Sequence, residues 1–169
     1  MSNQIFSNTI SRKKYDEPKP ELFVQQNNDR VLPTTPSYTN TLLEFNTNSL
    51  TNTGYLSYDT VQHTIVCESS GVFVVQATVS YYGVSASESV ELYFLKNGAS
   101  IPEYGLVILP RSITTIAGSE SSVLTTSHTF RGVPGTTIQT RIKSKDAITI
   151  QGVNNSPSKR TYLTCTKIN

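Results

Sequence analysis

The sequence predicts an all-β protein, an antiparallel jelly-roll sandwich of about eight strands with an extended N-terminal arm. Three observations support this fold class. Short segments in which apolar and polar residues alternate recur along most of the chain. Clusters of Gly, Pro, Asn and Ser separate these segments, as turns separate the strands of a sandwich. No amphipathic helix of useful length interrupts them, so the alternating segments are expected to pack against one another as sheets.

Composition limits the size of the core and the class of partner. With 169 residues, the chain has room for one domain and an appendage. Hydrophobic residues make up 36% of the chain and charged residues 15%, a mixture that favours strands and turns. The formal charge of +2 is far from the basic stripe that neutralises phosphates, so nucleic acid is not expected as a partner. The apolar runs are too short for a membrane span.

Residues 1–40 are predicted to form an extended or disordered arm, and residues 41–169 the jelly-roll domain. Prolines bar a helix and most ladder pairing in the arm. These prolines are Pro18, Pro20, Pro33 and Pro36. Two interpretations remain open, a disordered tail or an arm that becomes ordered only against a neighbouring subunit. The apolar residues expected to anchor such an arm are Leu22, Phe23, Val24, Val31 and Leu32.

The first half of the domain contains its clearest strand, residues 72–82. In this segment Phe73, Val75, Ala77, Val79 and Tyr81 share one face. Other strands are predicted at residues 42–45, 63–67 and 90–95, with a loop at residues 46–53 and a tight hairpin at Lys96-Asn97-Gly98.

The second half repeats the pattern after an irregular middle. Residues 101–119, punctuated by Pro, Gly and Ser, are predicted to lack a strand. In a strand predicted at residues 137–143, Ile138 and Ile142 face inward. The further strands are predicted at residues 123–130, 147–153 and 161–168.

The order of four short motifs resembles a known family. Residues 64–67 run into Ser70-Gly71-Val72-Phe73, and residues 90–98 form an apolar strand that ends in Lys-Asn-Gly. Residues 122–124 and the closing strand at residues 162–168 follow in order. This order resembles the trimeric jelly rolls of the complement globular head and the tumour necrosis factor superfamily. The resemblance covers residues 40–169. The chain departs from the family in having neither a collagen-like Gly repeat nor a signal peptide before the domain.

The resemblance implies a homotrimer in which the inner sheets of three copies pack around an apolar axis. Nine tyrosines and no tryptophan fit ordinary packing inside a sandwich, or alternatively a protein interface or a sugar-stacking surface. The residues expected to contribute to the interface are Tyr81, Tyr93 and Phe94. Jelly rolls with an arm and no secretory signal are similar to virion proteins, so we expect a minor capsid, spike or decoration protein, made in the host cytoplasm, whose arm contacts other shell or capsid proteins. The alternative is a receptor- or carbohydrate-binding head.

No catalytic, cofactor-binding or metal site is expected from the sequence, and an enzyme is not predicted. His63 and His128 fall in strand-like periods and are interpreted as half-buried strand residues. A calcium site built from Asp59 or Asp146 is a weaker alternative. The cysteines are expected to be two buried thiols, with a bridge between them as the alternative. They are Cys67 and Cys165.

Overall fold

The computed structural model describes residues 22–32, 39–51, 54–83, 89–97, 106–115, 121–144, 146–155 and 161–168. In these residues the chain forms thirteen strands and no helix, so none of them belongs to a helix able to span a membrane. The strands are β1 (Leu22–Gln25), β2 (Arg30–Leu32), β3 (Thr39–Leu42), β4 (Thr47–Thr51), β5 (Leu56–Asp59), β6 (Thr64–Cys67), β7 (Gly71–Tyr82), β8 (Ser89–Asn97), β9 (Leu106–Thr115), β10 (Ser122–Gly132), β11 (Thr137–Ser144), β12 (Ile148–Ile150) and β13 (Tyr162–Lys167).

Two antiparallel sheets enclose one core, which confirms the predicted jelly-roll sandwich. The larger sheet has the order β2-β12-β7-β13-β1-β4, with β10 paired to the other edge of β7. The smaller sheet has the order β5-β6-β11-β8-β9, with β3 also paired to β11. The alternating strands place one face of each sheet in the core and leave the opposite face available to solvent or to a partner.

Strand β7 forms the centre of the larger sheet and confirms its predicted pattern. Its core-facing residues, from Phe73 to Tyr81 at every second position, have no exposed surface. The inward positions predicted for Ile138 and Ile142 of β11 are also buried. Such period-two burial is expected where one face of a sheet lies against the other sheet.

The N-terminal boundary was predicted at the wrong place. Residues 22–32 belong to the larger sheet, because β1 pairs with β13 and β4, and β2 pairs with β12. Leu22 and Val24 have no exposed surface, and Leu32 is also buried. The domain therefore includes residues 22–32, and the prediction of an arm stays untested only for residues 1–21 and 33–38, which lie outside the described residues.

Two loops hold this N-terminal part against the rest of the domain. The backbone N–H groups of Val153 and Asn154 donate to the carbonyl oxygens of Gln26 and Asn27 at 2.9 and 2.8 Å. The N–H of Gly152 donates to Asp29 Oδ1 at 2.8 Å. A Cβ at Gly152 would lie 2.4 Å from the Asn27 carbonyl oxygen, so only glycine allows the two backbones to come this close.

Two segments predicted to be irregular form strands. Residues 46–53 contain β4 and residues 101–119 contain β9. In β9 the proline concealed the strand, since Pro is unfavourable inside a sheet. Pro110 lies in the edge strand β9, at the point where the pairing of β8 and β9 shifts register between Tyr93 and Leu95. A bulge at an edge tolerates the missing N–H of proline.

Candidate protein interface

The outward face of the larger sheet carries uncharged side chains over most of its area. The strand register aligns these side chains in rows across the sheet. In one row Thr78 of β7 lies between Thr125 of β10 and Tyr162 of β13, and in the next Gln76 lies between Ser127 and Thr164. The Thr78 and Thr125 hydroxyl oxygens are 3.2 Å apart, and the rings of Phe23 and Tyr162 stack with centroids 5.7 Å apart. We call this surface the uncharged face; it comprises Phe23, Gln25, Val74, Gln76, Thr78, Val123, Thr125, Ser127, Thr129, Tyr162, Thr164 and Thr166.

The smaller sheet differs, because its outward face is charged. Glu91 of β8 lies opposite Lys143 of β11, with 3.9 Å between Glu91 Oε1 and Lys143 Nζ. Arg141, two residues earlier in β11, pairs with Tyr93 on the same face. Interface centres are depleted in charged residues. The larger sheet is therefore the better candidate for a contact with another protein.

A cleft opens at one end of the larger sheet, where β7 begins and β10 ends. Its volume is about 460 Å³, and it is open to solvent. We call it the end cleft; it is lined by Ser70, Gly71, Val72, Arg131, Gly132 and Val133. Lys96 Nζ donates to the carbonyl oxygen of Arg131 at 2.8 Å, which places an ammonium group beside the cleft wall.

Further charges near the end cleft are mostly positive among the described residues. Lys167 Nζ donates to Ser69 Oγ at 3.3 Å and lies 4.3 Å from the centre of the Tyr55 ring. The carboxylate at this end, Glu68, accepts a hydrogen bond from Ser57. This end of the domain therefore favours an anionic partner.

Five of the six residues predicted to form interfaces are enclosed in the chain's own structure. Leu22, Val24, Tyr81 and Phe94 have no exposed surface and Tyr93 has 3%. A side chain enclosed by its own chain cannot make a substantial contact with a partner, so the prediction is wrong for these five. The alternation of side chains along these strands was predicted correctly. The core-facing side of each strand was not distinguished from its outward side.

Phe23 is the remaining predicted interface residue. It is half-buried and lies on the uncharged face, stacked on Tyr162. Its contact with a partner stays a prediction. The sequence did not identify the outward positions of β10 as candidate interface residues. They occupy every second position of the strand and are Val123, Thr125, Ser127 and Thr129. Their signal was present in the sequence, since no charged residue falls among these four positions.

The Tyr81 hydroxyl group is buried in the core, and no other described residue forms a hydrogen bond with it. Burial raises the pKa of this phenol to about 12. Tyr58 is also buried, and its pKa is raised by burial, although its hydroxyl oxygen accepts a hydrogen bond from the Phe45 N–H at 3.3 Å. A raised pKa makes each phenol a weaker acid that stays protonated at neutral pH, which suits core packing better than proton transfer.

His63 lies in the turn between β5 and β6 and not in a strand, contrary to the prediction. Its φ of 50° is in the left-handed region, which a strand residue does not adopt. Its Nε2 atom is 3.9 Å from Glu44 Oε2, and Arg30 Nη2 donates to Glu44 Oε1 at 2.7 Å. This cluster ties β2 to the segment after β3 and to the turn. His128 is a half-buried residue of β10, as predicted.

The two cysteines are free and buried, as predicted, and no bridge joins them. Burial raises the pKa of the Cys67 thiol to about 11, although the nearby Lys96 partly opposes this. Among the described residues no group of three or more His, Cys, Asp or Glu side chains could hold a metal ion. The calcium alternative at Asp59 thus gains no support, because Asp59 Oδ1 instead accepts the N–H groups of Val61 and Gln62.

Comparison with solved structures identifies the fold. Eiger TNF from S. frugiperda matches with a TM-score of 0.63 at 9% identity, over 89% of this chain and 94% of that one. Murine APRIL at pH 8.0 matches with a TM-score of 0.62 at 15% identity, over 87% and 97% of the two chains. The structure of murine APRIL at pH 5.0 matches with a TM-score of 0.59 at 13% identity, over 87% of this chain and 98% of that one. No family model and no curated protein matches the sequence. The likeness to these solved structures shows that the chain has a fold of the tumour necrosis factor type.

Proposed function

We propose that this chain is a non-enzymatic structural subunit that assembles as a homotrimer through the uncharged face. The observation that carries the proposal is the contrast between the outward faces of the two sheets. One presents hydroxyl, amide, aliphatic and aromatic groups, and the other presents Glu91, Arg141 and Lys143. Desolvating charges on association costs free energy, whereas an uncharged face with half-buried rings can be covered at little cost.

Three copies are favoured over two by the fold. The resemblance in the order of motifs implies a trimer, and the tumour necrosis factor type of fold supports the same arrangement. Closed three-fold symmetry uses one patch on each copy against a different patch on the next and leaves no open end for filament growth. The hydroxyl-rich character of the uncharged face also suggests an axis that is less apolar than expected from the resemblance.

The test uses light scattering on the full chain and two valine variants. Val123 lies on the uncharged face and is 55% exposed, so Val123→Lys is expected to introduce a buried charge on association and to reduce the mass to that of a monomer. Val61 lies in the turn between β5 and β6 and is 87% exposed, so Val61→Lys is the matched control and should keep the wild-type mass. A monomeric wild-type chain, or equal masses for the two variants, would contradict the proposal.

We further propose that the trimer is a component of a shell, as a minor capsid, spike or decoration protein of a virion made in the host cytoplasm. The support is the combination of an uncharged face and a segment before β1 that contains Pro18 and Pro20 and precedes the sandwich in the sequence. Removal of residues 1–21 should leave the trimer intact and abolish its incorporation into particles, measured by co-sedimentation. Undiminished incorporation would exclude this role for the segment.

A receptor- or carbohydrate-binding head is the second candidate, and exposed aromatic rings favour it. Tyr55 and Tyr82 each expose more than a third of their surface. Tyrosine rings stack on sugars and are frequent in binding sites. A glycan array probed with wild type and with Tyr55→Ala and Tyr82→Ala separates the candidates. A glycan whose binding requires one of these rings and persists without residues 1–21 would favour the head over the shell subunit.

A further inference from the structure

Exposed apolar side chains occur together at the end of the sandwich where the end cleft opens. Val133 is 59% exposed, Ile168 is 52% exposed and Tyr55 is 41% exposed. Pro134, which follows Val133 in the turn between β10 and β11, is also exposed. A single exposed apolar side chain is normal, whereas a group of them marks a surface that contacts something other than water.

Backbone hydrogen bonds place Val133 and Tyr55 beside the same short segment. The turn that contains Val133 is attached to Cys67, because the Gly135 N–H donates to the Cys67 carbonyl oxygen at 2.9 Å. The next residue along the chain, Glu68, donates its N–H to the Tyr55 carbonyl oxygen at 2.8 Å. The two side chains therefore belong to one end of the domain, although 78 positions separate them in the sequence.

Ile168 joins the same group from the C-terminal end of β13. Its N–H donates to the Val72 carbonyl oxygen at 2.8 Å, and Val72 and Val133 both line the end cleft. We call this group of exposed side chains the apolar tip; it comprises Tyr55, Val133 and Ile168.

Cations surround the apolar tip. Lys167 Nζ lies 4.3 Å from the centre of the Tyr55 ring. Lys96 Nζ donates to the carbonyl oxygen of Arg131, whose side chain is exposed. Among the described residues the carboxylate at this end is Glu68. The surface is thus apolar at its centre and mostly positive around it.

We propose that the apolar tip binds the surface of an anionic phospholipid bilayer, with Val133 and Ile168 entering the boundary between head groups and acyl chains. The surrounding cations then face the anionic head groups, and Tyr55 lies at the level where tyrosine is favoured in membranes. Binding of this peripheral kind gains free energy from buried apolar area and from attraction to anionic lipids. An acidic peptide would satisfy the cations but give no reason for exposed valine and isoleucine. The inference does not depend on trimer formation.

Fluorescence of an introduced indole tests insertion of the tip. The chain has no tryptophan, so Val133→Trp reports the surroundings of one position. The full-length variant is mixed with vesicles of about one-third phosphatidylserine and two-thirds phosphatidylcholine. Its emission should shift to shorter wavelength, because the indole leaves water. Val61→Trp, at an 87% exposed position in the turn between β5 and β6 at the opposite end, is the matched control and should not shift. Equal shifts, or no shift in Val133→Trp, would refute insertion.

Co-sedimentation with the same vesicles tests the cations without an introduced indole. Arg131→Gln and Lys167→Gln should each weaken binding about fivefold, since one cation near an anionic membrane contributes about 1 kcal/mol. Lys143→Gln removes a cation from the far end of β11, so it is the matched control and should bind like wild type. Vesicles of phosphatidylcholine alone should bind more weakly. Equal losses in the three variants would show that net charge alone governs binding and would exclude contact at the tip.

Soluble competitors distinguish a bilayer from other anionic partners. Glycerophosphoserine carries the head group without acyl chains, and polyglutamate represents an acidic peptide. Neither should shift the emission of Val133→Trp or displace the chain from vesicles at the same concentration of anionic groups. Displacement by glycerophosphoserine would assign the site to a single head group, and displacement by polyglutamate would assign it to an acidic peptide. Either result would overturn the proposal.

Discussion

At the scale of single residues, the burial of Cys67 makes the stability of the fold depend on pH. Its thiol is buried beside Gly132, where a Cβ would lie 2.7 Å from the sulfur. Burial raises the pKa of this thiol from 9.0 to about 11 in the folded chain. Between these pH values the unfolded chain loses a proton that the folded chain retains. The free energy of unfolding should therefore fall as pH rises from 9 to 11, because ionisation favours the unfolded state.

The measurement compares urea denaturation of wild type with that of Cys67→Ala at several pH values from 7 to 11. The variant should be less stable at pH 7, by about 1–3 kcal/mol for the lost sulfur contacts, yet its stability should decline less steeply above pH 9. Val75→Ala, a fully buried core residue without a titratable group, is the control and should keep the wild-type slope. An unchanged slope in Cys67→Ala would contradict the prediction.

At the scale of secondary-structure elements, the sequence allowed prediction of those strands whose alternation is long and uninterrupted. β7 was predicted almost to the residue because the seven positions from Val75 to Tyr81 alternate between apolar and polar without a break. β11 was predicted because Ile138 and Ile142 are flanked by polar residues. β1 was missed because its pattern of four residues is too short to be distinguished from a proline-broken tail. Its pairing with β13 depends on residues far away in the chain, which local periodicity does not report.

The uncharged face illustrates the same limit for the candidate site. Alternation correctly divided β7 into two faces, yet it cannot indicate which face meets the other sheet when both carry apolar residues. Tyr81 was assigned to an interface for this reason and lies in the core. The presence or absence of charged residues across several paired strands is the more informative signal, and it becomes available only once β10, β7 and β13 are known to be neighbours.

The position of β1 and β2 predicts how truncation affects folding. A fragment of residues 41–169 lacks both strands, so its core lacks the side chains of Leu22, Val24 and Leu32. Burial of each such side chain contributes about 1.5–3 kcal/mol, a sum comparable to the whole stability of a domain. We expect residues 41–169 to lack a cooperative thermal transition by circular dichroism, whereas residues 22–169 should unfold cooperatively. Equal transitions in the two fragments would show that β1 and β2 are dispensable.

At the scale of the whole molecule, fold alone does not determine function, since one sandwich can serve as a structural subunit or as a binding head. What the molecule can do follows from its surfaces. The uncharged face suits association of identical copies, and the cationic end cleft suits an anionic group of a partner. The two surfaces meet at Arg131, the charged residue at the end of the outward row that begins at Val123. The uncharged face and the cationic end cleft are therefore adjacent but differ in their physical basis.

The lack of charged side chains on the uncharged face gives a prediction about the effect of salt on the trimer. Raising NaCl from about 0.05 M to 1 M shortens the Debye length to about 3 Å and screens contacts between exposed charges. The trimer mass by light scattering should remain unchanged, because the uncharged face contributes no ion pairs to the association. Dissociation of the trimer at high salt would instead place the contact on the charged face of the smaller sheet, where Glu91 and Lys143 could pair across copies.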